Sequence, residues 1–168
     1  LGATVHVASL RGARTLPVEE FLTGYRTNAL APDEIVVAVE LPRPGEDVLF
    51  ACEKISKRHD QDIATVGAAL WLRLAEGRVV EARLAFGGVG PTVLRARGAE
   101  AALAGRALTA ESVAEAAVAL AADIAPLGDW RGTAEYRLVV AQGLLRRLHL
   151  RATRPDLPAE VAAFAEAV

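Results

Sequence analysis

The apolar residues of the chain change their period once. Up to Gly90 they fall in short alternating runs, and after Pro91 they recur three and four residues apart, the spacing of one face of an α-helix. A chain that places its strands first and its helices afterwards does not build the interleaved units of a parallel sheet. It stacks a helical layer on an antiparallel one. The expected fold class is α+β: an antiparallel sheet of three to four strands covered by about three helices.

The individual segments follow from that division. "ATVHVASLRGARTL" alternates through Val5 and Val7 and turns at a glycine, which predicts a hairpin arm whose further strand partner lies upstream. "PVEEFLTGYR" reads as a helical turn opened by Pro17, with Glu19 and Glu20 at its positive end. "IVVAVEL" is a β-branched strand closed by Pro42, Pro44 and Gly45. In "VLFACEKI" alternation sets Val48, Phe50, Cys52 and Lys54 on one face, predicting a buried Cys52 and a Lys54 that ends an apolar row. "ATVGAALWLRL" and "RVVEARLAFGG" flank the tight turn "AEG" and make an antiparallel hairpin, and all these strands are expected in one sheet. Beyond Pro91 come a short alanine-rich helix ended by Gly105, a second capped by Thr109 with the stripe Val113, Ala117, Leu120 and Ile124, and a third from about Thr133. For the third, Tyr136, Val140, Leu144 and Leu148 are the expected buried stripe, with Gly143 allowing close approach. The tail from Pro155 is expected to be a loosely held helix.

The totals exclude several classes. A length of 168 residues suits one core, and a net charge of −2 gives no reason to expect nucleic acid or an anionic membrane as partner. No apolar run approaches the roughly 20 residues of a membrane span, and "LGATVHVASL" lacks the features of a secretion signal, so a cytoplasmic protein is expected. The single cysteine excludes an intrachain disulfide, a four-cysteine zinc site and an iron–sulfur cluster built by this chain alone; no metal site is expected. With no methionine and a leucine at position 1, the chain is expected to be a piece of a longer polypeptide.

Chemistry concentrates in one place. The only two lysines, Lys54 and Lys57, stand with Arg58, His59, Asp60 and Asp62 just before an uncharged apolar run. One reading is a charged connection in which Lys54 snorkels and Asp60 or Asp62 pairs with Arg58. The other is a loop of fixed cations and carboxylates over an apolar floor, Ile55 and Ile63, that clamps a flat anionic cofactor. Composition leaves both open. "FGGVGPT" is neither a P-loop nor a dinucleotide fingerprint and reads as the glycine-rich exit of a strand. His6, His149 and the basic "RRLHLR" read as structural or solvated.

Five ordered segments carry a resemblance: "FLTGYR", "APDEIVVAVELP", "KISKRHDQDIATV", "ARLAFGGV" and "PLGDWRGTAEYRLVVAQGLLRR". In this order they resemble the C-terminal part of the flavin subunit of molybdenum hydroxylases, bacterial xanthine dehydrogenase small subunits above all, with a region like the CO dehydrogenase flavoprotein C-terminal domain. The resemblance implies that residues 1–30 end an FAD-binding domain and its connector, that 31–152 form the C-terminal-like domain, and that 153–168 are a tail. It implies FAD as cofactor, shared with a missing upstream glycine-rich segment, and NAD as acceptor. It also implies a molybdopterin centre and two-iron two-sulfur clusters elsewhere in the complex. The implied partners are the remainder of the flavin and iron–sulfur subunit and a molybdopterin-binding large subunit.

Residue by residue, the resemblance sets Ile35, Val36, Lys54 and Ile63 by the flavin and Tyr25 on the nicotinamide side. Arg58, Asp60, Gln61 and Asp62 fall in a mobile loop over the ring system. Gln61 stands where the animal enzymes carry an acid. The implied activity is that of a xanthine dehydrogenase, with the isolated fragment inactive. Another molybdenum hydroxylase, acting on an aldehyde, carbon monoxide or an N-heterocycle, is the neighbouring alternative, and a non-catalytic docking lobe is the alternative from a different class.

Overall fold

The structure, a computed structural model, describes residues 2–58, 60–154 and 156, so the helix expected from Pro155 onward lies outside the described residues. Strands and helices segregate along the chain as the change of period requires, but the strands form two main sheets and not one. In the first, β1 (Thr4–Ser9) forms a hairpin with β2 (Gly12–Pro17) and pairs on its other side with β5 (Ile35–Glu40), all antiparallel. Val5, Val7 and Leu16 are buried there beneath Val18, Phe21, Ala29 and Leu30. Between the strands run the single turn α1 (Val18–Phe21) and a small ribbon of β3 (Leu22–Gly24) and β4 (Thr27–Asn28), with Tyr25 and Arg26 at its tip.

The second sheet has the order β6 (Val48–Ile55), β7 (Val66–Ala75), β8 (Arg78–Gly87) and β9 (Leu94–Arg95). The β7–β8 turn holds Glu76 and Gly77 at φ of 50° and 72°, the paired positive angles of a tight hairpin turn. The expectation of one sheet fails at Pro42–Gly45. That break lets the chain leave the first sheet after β5, which stays hydrogen-bonded to β1.

Three helices, α2 (Arg97–Leu103), α3 (Ala110–Asp123) and α4 (Ala134–Thr153), cover one face of the second sheet. Thr109 and Ser112 form a reciprocal capping box at the start of α3. The carboxylate of Asp123, at its end, accepts the Gly98 and Ala99 N–H groups at 2.9 Å each and so caps α2. The stripe Val113, Ala117, Leu120 and Ile124 is buried as its spacing requires. Phe86, Leu70, Leu72 and Leu84 meet it from the sheet.

Four sequence expectations need correction. Cys52 is exposed, because the helices cover the face of β6 that carries Ala51, Leu49 and Ile55; Phe50, Cys52 and Lys54 lie on the opposite face. In α4 the buried row is Arg137, Ala141, Leu144, Leu145 and Leu148, while Tyr136 is 47 % exposed. A Cβ at Gly143 would meet nothing within 4 Å, so that glycine serves no close approach. The basic end of α4 is also only partly solvated: Arg147 and Arg151 converge on Glu53 of β6, at 3.3 and 2.9 Å.

Glu100 ties the layers together. Its carboxylate is buried, accepts the Leu84 N–H at 2.8 Å and takes two hydrogen bonds from Arg95. Arg95 reaches onward to Glu19 of α1, at 2.6 Å, which ties the second sheet to the first sheet's connecting turn through one guanidinium.

Candidate functional site

Three connections converge at one end of the second sheet: the β6–β7 loop, the glycine-rich exit of β8, and the segment from Pro126 to Thr133 ahead of α4. One side chain ties them together. Arg137, buried in the first turns of α4, donates through Nη1 to the carbonyls of Thr65 and Gly88 and through Nη2 to the Asp129 carboxylate. A guanidinium presents its donors in a fixed planar fork, which suits a residue that must satisfy several acceptors from different segments.

Each connection is shaped for this. Gly88 has φ of 78°, and a Cβ there would lie 2.4 Å from the Thr65 carbonyl oxygen, so only glycine lets the β8 exit approach β7 this closely. Asp129 and Gly132 exchange both backbone hydrogen bonds, at 3.0 and 3.1 Å, and Asp129 Oδ1 accepts the Arg131 N–H at 2.8 Å. Burial pushes the Asp129 carboxyl up, but the Arg131 N–H and the Arg137 and Arg131 guanidiniums outweigh it and hold its pKa down to about 2.

Around this knot lie two adjoining clefts. The first, of about 560 Å³, is lined mainly by apolar surface, with Tyr25, Ile63, Gly88, Pro91 and Leu127 on its walls and Arg131 at its side. The second, of about 490 Å³, is bordered by Ser56, Lys57, Thr133 and Tyr136, and shares Asp129 and Arg131 with the first. Trp130, 69 % exposed, stands in its wall, with the Arg131 guanidinium 4.1 Å and the Lys57 ammonium 6.0 Å from its ring centroid. Lys57 Nζ also donates to the Trp130 carbonyl at 2.6 Å.

The structure brings some of the expected site residues together. Tyr25 and Ile63, distant in sequence, face the same cleft, both largely exposed. Asp62 turns inward on its own loop: it accepts the N–H groups of Lys57 and Arg58 at 3.1 Å each and of Ile63 at 2.9 Å. Burial raises the Asp62 pKa, and these N–H groups with the Arg58 charge outweigh that and leave it lowered. Arg58 donates to the Gln61 carbonyl at 2.8 Å, and Gln61 holds a left-handed φ of 51°. Asp60 is exposed. Lys54 lies on the outer face of β6, and Ile35 and Val36 lie on β5 in the first sheet; none of the three lines the first cleft. Among the described residues, no group of three or more His, Cys, Asp or Glu side chains is placed to hold a metal ion.

The comparisons with known proteins agree with this architecture. Residues 51–152 match the CO dehydrogenase flavoprotein C-terminal domain. The chain belongs to that family. Residues 1–44 match the FAD binding domain in molybdopterin dehydrogenase, so the flavin subunits of molybdenum hydroxylases are its relatives over nearly all the described residues. The xanthine dehydrogenase FAD-binding subunit of Escherichia coli O157:H7 is 35 % identical over 147 residues, 87 % of this chain and 50 % of the relative. The carbon monoxide dehydrogenase medium chain of Hydrogenophaga pseudoflava is 35 % identical over 81 % of this chain and 47 % of its own.

Among solved structures, carbon monoxide dehydrogenase from H. pseudoflava superposes with a TM-score of 0.81 at 36 % identity, covering 87 % of this chain and 50 % of that one. Quinoline 2-oxidoreductase from Pseudomonas putida 86 gives 0.81 at 31 % identity, over 92 % of this chain and 53 % of that one. The chain thus spans about half the length of the flavoproteins it matches.

Sequence reasoning missed the centre of the site. Arg137, Asp129, Arg131 and Trp130 all lie in "PLGDWRGTAEYR", a segment quoted for its resemblance and given no role. The available signal was local: an Asp whose side chain can cap the N–H groups two and three residues on, followed by a Gly-Thr helix start.

Proposed function

We propose that this chain forms one wall of the flavin site of a cytoplasmic xanthine dehydrogenase that delivers its electrons to NAD. The observation that supports this most directly is the meeting of Tyr25 and Ile63, each carried by a separate resembling segment, across one apolar cleft flanked by Arg131. The cleft's volume and lining suit a planar ring system, and much less a whole dinucleotide, in keeping with a site completed by residues outside this chain. FAD, when bound, supplies the transfer to NAD of electrons that arrive from a molybdopterin centre and two-iron two-sulfur clusters on other parts of the complex.

In this reading Ile63 meets the ring system in the cleft, while Ile35, Val36 and Lys54, which lie outside the cleft's lining, hold the cofactor from the side that the rest of the polypeptide completes, Lys54 as a fixed cation. Tyr25, Arg58, Asp60, Gln61 and Asp62 form the NAD side. Asp62 keeps the loop backbone closed, and Arg58 fixes the turn at Gln61. The partners are the rest of the flavin and iron–sulfur subunit and the molybdopterin-binding large subunit. We set the end of the FAD-binding domain in the Pro42–Asp47 connection and not at residue 30, because β5 is hydrogen-bonded to β1.

A second reading has its own support. The carbon monoxide dehydrogenase medium chain is as similar to this chain as the xanthine dehydrogenase subunit is, at 35 % each, and quinoline 2-oxidoreductase is 31 % identical, so the substrate at the molybdenum centre is open to an aldehyde, carbon monoxide or N-heterocycle. The deciding experiment on the complete enzyme pairs Arg58→Ala with two assays, NADH formation from xanthine and xanthine oxidation with a dye that takes electrons upstream of the flavin. NADH formation is expected to fall about 30-fold, equivalent to about 2 kcal/mol, with the dye reaction unchanged. No xanthine turnover in the wild-type enzyme would refute the substrate. Unchanged flavin affinity and reduction in both Lys54→Ala and Ile35→Ala would instead favour a docking lobe.

A further inference from the structure

Tyr25 and the other walls of the first cleft belong to different units of the fold. Tyr25 sits at the tip of the β3–β4 ribbon, beside the first sheet, whereas Ile63, Leu127 and Arg131 sit on loops of the second sheet and its helices. Among the described residues the two units share no apolar core: the cluster around Val5, Val7 and Leu16 and the cluster around Phe86 and Leu70 have no member in common. The width of the cleft at Tyr25 is therefore set by something other than hydrophobic packing between the units.

A carboxylate makes the join. Glu19 of α1 accepts from Arg95 at 2.6 Å and from Arg97 at 2.8 Å, one arginine on each of its oxygens. Arg95 is already fixed: its side chain is 14 % exposed and makes two hydrogen bonds to Glu100, whose carboxylate also accepts the Leu84 N–H. An ion pair on an open surface contributes little because two free side chains must be ordered. Here the guanidinium is held before Glu19 arrives, so most of that cost is absent. Burial pushes the Glu19 carboxyl up, but the Arg95 hydrogen bond and the Arg95 and Arg97 charges outweigh it and leave its pKa lowered.

From Glu19 the constraint runs to Tyr25 along a short, stiff path. Phe21, at the end of the same turn, packs on the first core, and its carbonyl accepts the Ala29 N–H at 2.9 Å, which closes the base of the ribbon. β3 begins at the next residue. Leu22 pairs with Asn28 and Gly24 with Thr27, and a Cβ at Gly24 would lie 2.8 Å from Thr27 Oγ1, so the strands are closely apposed up to the tip.

We propose that Glu19 is a positioning residue for the candidate site: clamped by Arg95 and Arg97, it fixes the ribbon so that Tyr25 stays opposite Ile63 and Leu127 across the cleft. Glu19 itself lines neither cleft. That Tyr25 then meets a nicotinamide dinucleotide rests on the proposed function. On that footing, loss of the clamp raises the KM for NAD and leaves kcat and the chemistry at the molybdenum centre alone.

The test uses the complete enzyme and two independent readouts. In the first, p-benzoylphenylalanine stands in place of Tyr25 and its photo-crosslinks are mapped by mass spectrometry. Links to residues 126–131 are expected, roughly fivefold fewer once Glu19→Ala is added, and largely restored by Glu19→Gln, which keeps the length and one acceptor. In the second, with Tyr25 intact, Glu19→Ala is expected to raise the KM for NAD about 10-fold, equivalent to about 1.4 kcal/mol, with kcat and upstream dye reduction within about twofold of wild type. Arg97→Ala removes the exposed half of the clamp and keeps Arg95; it is expected to give about a threefold rise and serves if Glu19→Ala folds poorly. Unchanged crosslinks in Glu19→Ala and Arg97→Ala alike would overturn the proposal, whatever the KM. So would a joint loss of kcat, dye reduction and melting temperature in both, the mark of a merely structural role. Crosslinks that fall while the KM for NAD stays constant would leave the clamp standing and overturn the placement of NAD beside Tyr25.

Discussion

Replacing Arg137 with leucine removes the one side chain among the described residues that bonds to all three connections at the candidate site. Leucine fills much of the same volume, so the loss is one of hydrogen bonding and charge more than of packing. The carbonyls of Thr65 and Gly88 each lose a charged donor, and Thr65 is itself buried. A buried acceptor left without a donor costs about 1–3 kcal/mol. The Asp129 pair adds less, because its carboxylate is partly open to solvent and keeps the Arg131 N–H and guanidinium. Gly88 is exposed, so water can replace the donor there, and the buried Thr65 carbonyl carries most of the expected loss of about 2 kcal/mol.

Urea unfolding of the protein that carries this chain, followed by far-ultraviolet circular dichroism, measures it. With a slope of about 2 kcal/mol per molar urea, the midpoint moves down by about 1 M. Arg131→Leu is the control: that side chain pairs with the same half-open carboxylate and stacks on the exposed Trp130 ring, and the change costs about 1 kcal/mol. A loss under about 1 kcal/mol for Arg137→Leu would mean that water replaces the guanidinium at both carbonyls, and the account of a buried knot would be wrong.

The other expectations are briefer. Gly88→Ala forces a left-handed residue against the Thr65 carbonyl and is expected to cost at least about 2 kcal/mol, whereas Gly143→Ala, in a helix with open space around it, gains about 0.5–1 kcal/mol; parallel melts compare them. Asp129 has a folded-state pKa of about 2 against an ordinary 3.8, so its contribution is whole above pH 3.8 and is lost as the pH falls toward 2. Asp129→Asn should therefore lower the melting temperature at pH 6 and flatten its decline between pH 4 and pH 2; an unchanged acid slope would contradict this. Thr109→Ala removes one half of the α3 capping box and is expected to cost about 1 kcal/mol, read from the same melts.

What could be read from the sequence, and what could not, divides by the range of the interaction. Periodicity reports which residues share a face, and the hairpins, the Thr109 cap and the Val113–Ile124 stripe all follow from neighbours a few positions apart. It does not report which face a distant element will cover. Phe50, Cys52 and Lys54 alternate as cleanly as Leu49, Ala51 and Ile55, and only the docking of the helices decides that the second set is inside. The strand at Ile35 was legible as a strand, yet its pairing with β1 depends on where the chain turns at Pro42–Gly45.

The same distinction explains the candidate site. The Lys54–Asp62 loop drew attention because its charges are adjacent in sequence, and several of them prove to serve the loop itself: Asp62 closes its backbone and Arg58 holds Gln61. Arg137 stands in sequence beside the apolar positions of α4 with no run of adjacent charges near it. Its role follows from three carbonyl and carboxylate acceptors that approach from three separate connections, each left short of donors by the need to turn at the end of a sheet. A rigid knot of this kind allows Tyr25, Ile63, Leu127 and Arg131, from three different segments, to face one cleft at fixed separations. Residues lining the cleft can then sit on exposed loops, because the floor beneath them is held by a buried cation.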